Sequence, residues 1–371
     1  MAGPSSDRSV SSPRRFASRE NCIVISLPTA VGIVLLIPLA IALFFWLIFI
    51  YLRWRFLEYV LRIFQEKPIF IVPFGQAVPD AQDIRFPTTN GLTLCGCYLR
   101  TTAWQRHGVI LFGLEYGSNR WSCLSYCENL IANGFDVFTF ECRNQGDSDV
   151  QPGYDPLQWV TDHEVADFQA ALAYLKSRSD GDNRGVGFFG ISKGGGAGLL
   201  AAANDPYVRC FVTDGIFATH ATMIPYMRRW IAIYSDRYWI QELLPTWMYG
   251  WVGHVALKRI GRERGCRFPH LERAMRKLSP RPLLMIHGGS DNYIKPDMAR
   301  KIFERAGPPK EFWLVEGAKH NQAIQVAPEE YQRRVLEFFL ENLAGVKPSS
   351  ARKPSRQPNA SPVPIASRFS Q

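Results

Sequence analysis

The pentapeptide Gly190-Ile191-Ser192-Lys193-Gly194 constrains the fold more than any other stretch of this chain. Val186-Gly187-Phe188-Phe189 precedes it, an apolar run of strand length. Gly194-Gly195-Gly196-Ala197-Gly198-Leu199-Leu200-Ala201 follows, a small-residue run that suits a helix packed tightly on a sheet. A serine at such a strand-to-helix junction sits on a sharp, strained turn. Glycines two positions before and after it leave room for that turn. Oγ is then presented at a helix N-terminus, where backbone N–H groups can meet a negative charge. Alone, the pentapeptide also suits an ordinary turn, so its surroundings decide what it means.

Those surroundings alternate between strand and helix. Residues 83–87 and 92–99 flank Asn90-Gly91, a hairpin signal. Residues 108–112 and 135–140 are short apolar runs, with helical spacing over 118–133 between them and Gly134 as its stop. Val165, Phe168, Leu172 and Leu175 mark one face of a helix over 162–175. Beyond Ser192, strands are predicted at 208–213, 283–287 and 311–315, and helices at 297–306 and 329–343. This order implies an α/β fold with a mostly parallel sheet covered on both faces.

Between about 216 and 278 the alternation breaks, and aromatic residues crowd the segment. A plain helical layer on the core would account for some of them. Their number points instead to a helical cap whose apolar face forms a substrate pocket or dips into a membrane. On that reading Trp230, Trp239, Trp247 and Trp251 line or gate an acyl pocket above Ser192.

From Cys22 to Tyr51 there is no charged residue, and a spanning helix needs about 20 apolar residues. Trp46, Tyr51 and Trp54 cluster at one end, as interfacial anchors do. A cleaved signal peptide would have a shorter core and a small-residue cleavage site, whereas Tyr51-Leu52-Arg53-Trp54-Arg55-Phe56 follows here. The chain therefore reads as a basic, disordered N-terminus (1–21), a transmembrane helix (22–51), a juxtamembrane amphipathic segment (52–79), a soluble domain (80–343) and a disordered basic tail (344–371). Arginines flank the apolar run on both sides, so the positive-inside rule leaves its orientation open.

The net charge of +10 is concentrated in the two tails. Basic tails beside a bilayer meet anionic headgroups, and no aromatic-basic interleaving suggests nucleic acid. The eight cysteines fall mostly at apolar strand or helix positions. They read as small buried hydrophobes rather than metal ligands, which leans toward a reducing, cytoplasmic compartment. No cofactor is implied: the glycine run after Ser192 lacks the Lys-Ser/Thr of a phosphate loop.

A serine hydroxyl needs a neighbouring base, usually a histidine oriented by a carboxylate. Asp291 follows one predicted strand end and His320 another. Open α/β sheets place their chemistry at the carboxyl ends of strands. The chain order Ser192, Asp291, His320 makes these three the candidate nucleophile, orienting acid and base. Taken singly, Asp291 reads equally as a turn residue and His320 as a loop histidine.

With these residues in order, residues 80–343 resemble the α/β-hydrolase fold family, in its serine aminopeptidase and monoacylglycerol-lipase-like branch. Gly190–Gly194 carries the resemblance together with three other stretches. They are Glu141-Cys142-Arg143-Asn144-Gln145-Gly146-Asp147-Ser148, Asp291-Asn292-Tyr293-Ile294-Lys295-Pro296 and Gly317-Ala318-Lys319-His320. The resemblance implies an oxyanion hole, for which the backbone N–H groups of Leu114 and Lys193 are the candidates. One departure stands out: the family's His-Gly after the third strand is replaced by Phe112-Gly113-Leu114-Glu115. Glu115 is unexpected beside a developing negative charge: either Lys193 or Arg120 is its partner, or it marks weakened catalysis. The function expected is a membrane-anchored serine hydrolase cleaving acyl esters of an amphiphilic substrate. A peptidase or acyltransferase using the same triad, and a non-catalytic membrane scaffold on a hydrolase fold, are the alternatives.

Overall fold

Eight strands form one sheet: β1 (Gln82–Pro87), β2 (Thr93–Leu99), β3 (Gly108–Gly113), β4 (Phe135–Phe140), β5 (Val186–Ile191), β6 (Val208–Asp214), β7 (Leu283–Gly288) and β8 (Lys310–Val315). The spatial order is β1-β2-β4-β3-β5-β6-β7-β8. β1–β2 and β2–β4 are antiparallel, and every later pairing is parallel. The structure is a computed structural model that describes residues 27–67, 74–234, 242 and 244–346. The N-terminal segment 1–21, Trp239 and the tail from 347 onward lie outside the described residues.

Successive strand residues point to opposite faces, and both faces are buried. Val109, Leu111, Phe138 and Phe188 join one core with α3 (Asp162–Ser177) and α4 (Ser192–Ala202). Ile110, Phe112, Val137 and Phe189 join the other with α2 (Leu124–Ala132). This is why these strands read as continuous apolar runs. Between β3 and α2 the chain makes a short 3₁₀ turn over Arg120–Cys123, so the helix starts later than its spacing suggests. Thr161 and Glu164 form a reciprocal capping box at the start of α3.

The segment that breaks the alternation is helical: α5 (Thr219–Tyr234), α6 (Thr246–Glu263) and the short α7 (Leu271–Met275). α8 (Pro296–Phe303), α9 (Ala323–Val326) and α10 (Pro328–Phe339) complete the order.

The chain divides into two compact units, Met1–Arg55 and Phe56–Gln371. In the first, the described residues belong to one helix, α1 (Leu27–Gln65), which is long and apolar enough to cross a membrane. Most of its described side chains there, Leu35, Leu39, Trp46 and Trp54 among them, are exposed, and Phe45, Ile48 and Phe49 are half-buried. The helix does not end near Tyr51: it runs on to Gln65, so the first part of the juxtamembrane stretch continues the same helix. In the second unit, Leu57, Val60, Leu61, Ile63 and Phe64 of its last turns are buried. Phe64 packs its ring 5.2 Å from Trp159 and 5.9 Å from Tyr226 of α5, and its carbonyl accepts from Trp159 Nε1. The apolar face read from that stretch thus rests on protein.

Candidate active site

Parallel pairing sets β5 beside β3 with Gly113 in register with Gly190, so the loop after β3 runs next to Ser192. Ser192 has φ +49°, in the left-handed region, where a side chain costs about 1–3 kcal/mol. The flanking glycines are required by contact. A Cβ on Gly190 would lie 2.4 Å from Gly195 Cα, and one on Gly194 would lie 2.1 Å from the Leu114 carbonyl oxygen and 2.7 Å from Leu114 N. Removing both side chains lets the start of α4 touch β5 and the Leu114 backbone together.

Asp291 lies in the turn after β7 and His320 in the turn after β8. The structure brings both to Ser192. His320 Nε2 is 3.0 Å from Ser192 Oγ, and His320 Nδ1 is 2.7 Å from Asp291 Oδ2. The carboxylate makes Nδ1 the protonated nitrogen, which leaves Nε2 to accept from the hydroxyl. Asp291 is itself held: it is buried, and its Oδ1 accepts from the N–H groups of Tyr293 at 2.7 Å and Ile294 at 2.8 Å. Tyr293 sets its ring edge-on to His320, with centroids 5.3 Å apart. Its hydroxyl donates to Gln158 Oε1, and Gln158 Nε2 donates to Tyr226 Oη at 3.3 Å.

Two cavities open here. A small one of about 10 Å³ includes Ser192, Tyr116 and Phe217 in its wall. A larger one of about 420 Å³ has His320, Lys319 and Arg229 in its wall. Glu115, Tyr293 and Asn321 line both. Among the described residues no group of three or more His, Cys, Asp or Glu side chains converges to hold a metal ion.

Residues 107–334 match the alpha/beta hydrolase family, and this span includes Ser192, Asp291 and His320. The chain belongs to that family. Among curated relatives, the uncharacterized protein YfhR of Escherichia coli K12 is 23% identical over 279 residues, covering 73% of this hydrolase and 84% of YfhR. The quorum-quenching protein AidA of Acinetobacter baumannii is 30% identical over 156 residues, 40% of this chain and 49% of that protein. Among solved structures, an esterase of Pyrococcus furiosus superposes with a TM-score of 0.56 at 21% identity, covering 76% of this chain and 98% of the esterase. The α/β hydrolase GrgF of Penicillium gives 0.54 at 18% identity, over 72% of this chain and all of that one, and likewise shares the fold.

Within this hydrolase, Glu115 finds neither partner expected from sequence. Lys193 buries its ammonium and donates to Glu164 Oε1 at 2.8 Å and to the Leu157 carbonyl at 2.5 Å. Burial works to raise the Glu164 carboxyl, but the Lys193 charge and hydrogen bonds from Lys193, Thr161 and Tyr154 together hold it below its ordinary value. Arg120 is engaged by Glu141 and Asp147, each at 2.8 Å. Glu115 instead accepts from Asn321 Nδ2 at 2.7 Å. Burial pushes its carboxyl up, against the Asn321 hydrogen bond and the nearby His320.

Of the four cap tryptophans, Trp239 lies outside the described residues, and the other three, Trp230, Trp247 and Trp251, line neither cavity. Trp247 and Trp251 stack edge-on at 4.7 Å on α6 and are exposed, and Trp230 rests 6.1 Å from Tyr226. Aromatic density marked the cap but not the side of it that meets Ser192. The walls are built instead from Glu115, Tyr116, Tyr126, Phe217, Tyr293 and Asn321. Tyr293 lies within the Asp291–Pro296 stretch and Asn321 follows His320, a proximity that points to them. Gln158, which joins Tyr293 to the cap, carries no such signal.

Proposed function

We propose that this hydrolase is a serine esterase held at a membrane by α1, with Ser192, His320 and Asp291 as its catalytic triad. The observation that carries the reading is the continuous hydrogen-bonded line from Ser192 Oγ through His320 to Asp291, at three strand ends, with Ser192 in a strained left-handed backbone. In the reaction Ser192 Oγ attacks the ester carbonyl while His320 Nε2 takes its proton. Asp291 fixes the imidazole and stabilises the imidazolium. The tetrahedral oxyanion is met by the N–H groups of Leu114 and Lys193, the first beside the start of α4 and the second in its first turn, where N–H groups have no intrahelical partner. His320 then protonates the leaving alcohol, the acyl-enzyme forms, and water activated by His320 releases the acid.

Two features support a membrane setting: the length and apolarity of α1, and the exposed Trp247 and Trp251 on the cap. An amphiphilic acyl ester is the substrate class that suits an anchored enzyme, with the bilayer lipid as its partner.

Labelling of the detergent-solubilised protein with a fluorophosphonate, followed by mapping of the adduct, tests the chemistry. An adduct on Ser192, with ester turnover lost in Ser192→Ala by about 10³-fold or more, is the expected result. Absence of labelling in an intact protein favours the scaffold alternative, and turnover of amides ahead of esters favours the peptidase. Release of the full-length protein by alkaline carbonate without detergent overturns the anchor.

A further inference from the structure

We infer that the esterase site takes a small acyl group and a leaving alcohol that carries a phosphate or carboxylate, bound between Arg229 and Lys319. The inference rests on the esterase reading above and narrows its substrate. It follows from which cavity each half of an ester must occupy.

The leaving oxygen receives its proton from His320 Nε2, so the alcohol must lie on the histidine side of Ser192. That side is the cavity of about 420 Å³, within the size range of small-molecule sites. The acyl carbon stays bonded to Ser192, beside the cavity of about 10 Å³. This is the size of roughly one water-sized probe, and it accommodates little beyond an acetyl methyl. Among the described residues, space therefore favours the alcohol over the acyl chain.

Charge in the larger cavity favours an anion. Arg229 projects from α5 and donates to the Asn292 carbonyl, and Lys319 is exposed on the turn before His320. Gln322 and Gln325 add neutral donors to the same wall. The two acids present are both engaged: Asp291 by His320 at 2.7 Å, and Glu115 by Asn321 at 2.7 Å. A guanidinium and an ammonium facing one space, with amide donors around them, make a site for phosphate or carboxylate oxygens.

The test compares kcat/KM for an aryl acetate whose ring bears a carboxylate or phosphate with that for its uncharged isostere. The wild-type protein should prefer the anionic ester by about 10–100-fold at low salt, as charge-assisted hydrogen bonds imply. The preference should shrink as ionic strength rises. In Arg229→Gln/Lys319→Gln the ratio should fall to near one. The octanoyl ester of the same anionic alcohol should turn over more slowly than the acetyl ester. A long-alkyl version of the anionic alcohol, presented as its acetyl ester in zwitterionic vesicles, distinguishes a membrane-borne alcohol from a soluble one, and an anion preference in either supports the inference. Equal rates on charged and neutral esters, in a protein still labelled at Ser192, overturn the inference and leave the esterase reading standing. So does octanoyl turnover at or above the acetyl rate. Failure to hydrolyse any of the esters, with no labelling at Ser192, overturns the esterase reading and the inference with it.

Discussion

Asn321 donates across 2.7 Å to the Glu115 carboxylate, and so ties the turn that carries His320 to the loop that follows β3. Asn321 adopts φ +57°, a conformation that costs a non-glycine residue free energy unless its surroundings hold it. The bond joins the turn that presents the candidate base to the loop that presents the candidate oxyanion donor Leu114. An acid in that loop is then a strut between the two halves of the site.

Glu115→Gln preserves an acceptor for Asn321 Nδ2, and Glu115→Ala removes it. The alanine variant should lose about 1–3 kcal/mol of transition-state stabilisation, the scale of leaving a partly buried donor unsatisfied. The glutamine variant should keep most of the activity. Kinetics on one neutral ester, with thermal unfolding of each variant, checks this. Equal activity in the alanine variant and the wild type would remove the strut.

Asp214 ends β6 beneath the site, fully buried, with Oδ2 accepting from Tyr331 Oη at 3.0 Å. Burial pushes its carboxyl up to about 7, in spite of Tyr331 and His320. The folded state therefore binds this proton more tightly than the unfolded state, whose carboxyl titrates near 4. Its stabilising share is complete below about pH 4 and is lost as pH rises through about 7. Asp214→Asn removes that titration and keeps a group for Tyr331. Chemical denaturation between pH 4 and 8 should show wild-type stability falling by roughly 3–5 kcal/mol relative to the variant. Parallel profiles would mean that Asp214 stays charged.

Lys193 and Glu164 form an ion pair in which both side chains are almost wholly buried. Glu164 also closes the capping box of α3 by accepting from Thr161 N at 2.7 Å. Lys193→Met strands that carboxylate and should cost about 3–5 kcal/mol. Adding Glu164→Gln should recover a substantial part, because the uncompensated charge goes with it. Urea titrations of the three variants decide it. A double variant no better than the single would place the cost in packing.

How much of this was legible in the sequence follows from the range of each signal. The strand, turn and helix around Ser192 are written in contiguous residues, and the glycines there are needed for contacts that the sequence pattern already implies. The meeting of Asp291 and His320 with Ser192 was legible because each follows its own apolar strand, and parallel strands bring their carboxyl ends together. The hairpin at Asn90-Gly91 is local in the same way. Glu115 and Asn321 stand 206 positions apart, and Lys193 and Glu164 stand 29 apart. No periodicity links such pairs, so only the fold shows them. The placement of Trp247 and Trp251 was not legible for another reason. Trp247 and Trp251 are four apart on α6 and stack on each other at its surface, a spacing that a buried face and an exposed one share. The end of α1 was hidden because nothing near Tyr51 breaks a helix, so it continues to Gln65.

Gly194→Ala gives the sharpest separation between the proposed nucleophile and its proposed oxyanion donors. The new methyl would fall 2.1 Å from the Leu114 carbonyl oxygen and 2.7 Å from Leu114 N, both backbone atoms that cannot swing aside. Relief requires the loop after β3 to move away from α4, which carries the Leu114 N–H out of reach of the oxyanion. The contact of Ser192 with His320 depends mainly on the ends of β5 and β8, and the shifted loop reaches it only through the Glu115–Asn321 bond. The variant should lose kcat by about 10²–10³-fold, the usual cost of one oxyanion donor. Its fluorophosphonate labelling should slow as well, because the phosphonyl oxygen uses the same donors. Alkylation of Ser192→Cys/Gly194→Ala by iodoacetamide needs no oxyanion donor, so it should proceed at the rate of Ser192→Cys alone. A variant with full esterase activity would show that the loop after β3 supplies no donor. Loss of cysteine alkylation would show that the turn itself had collapsed.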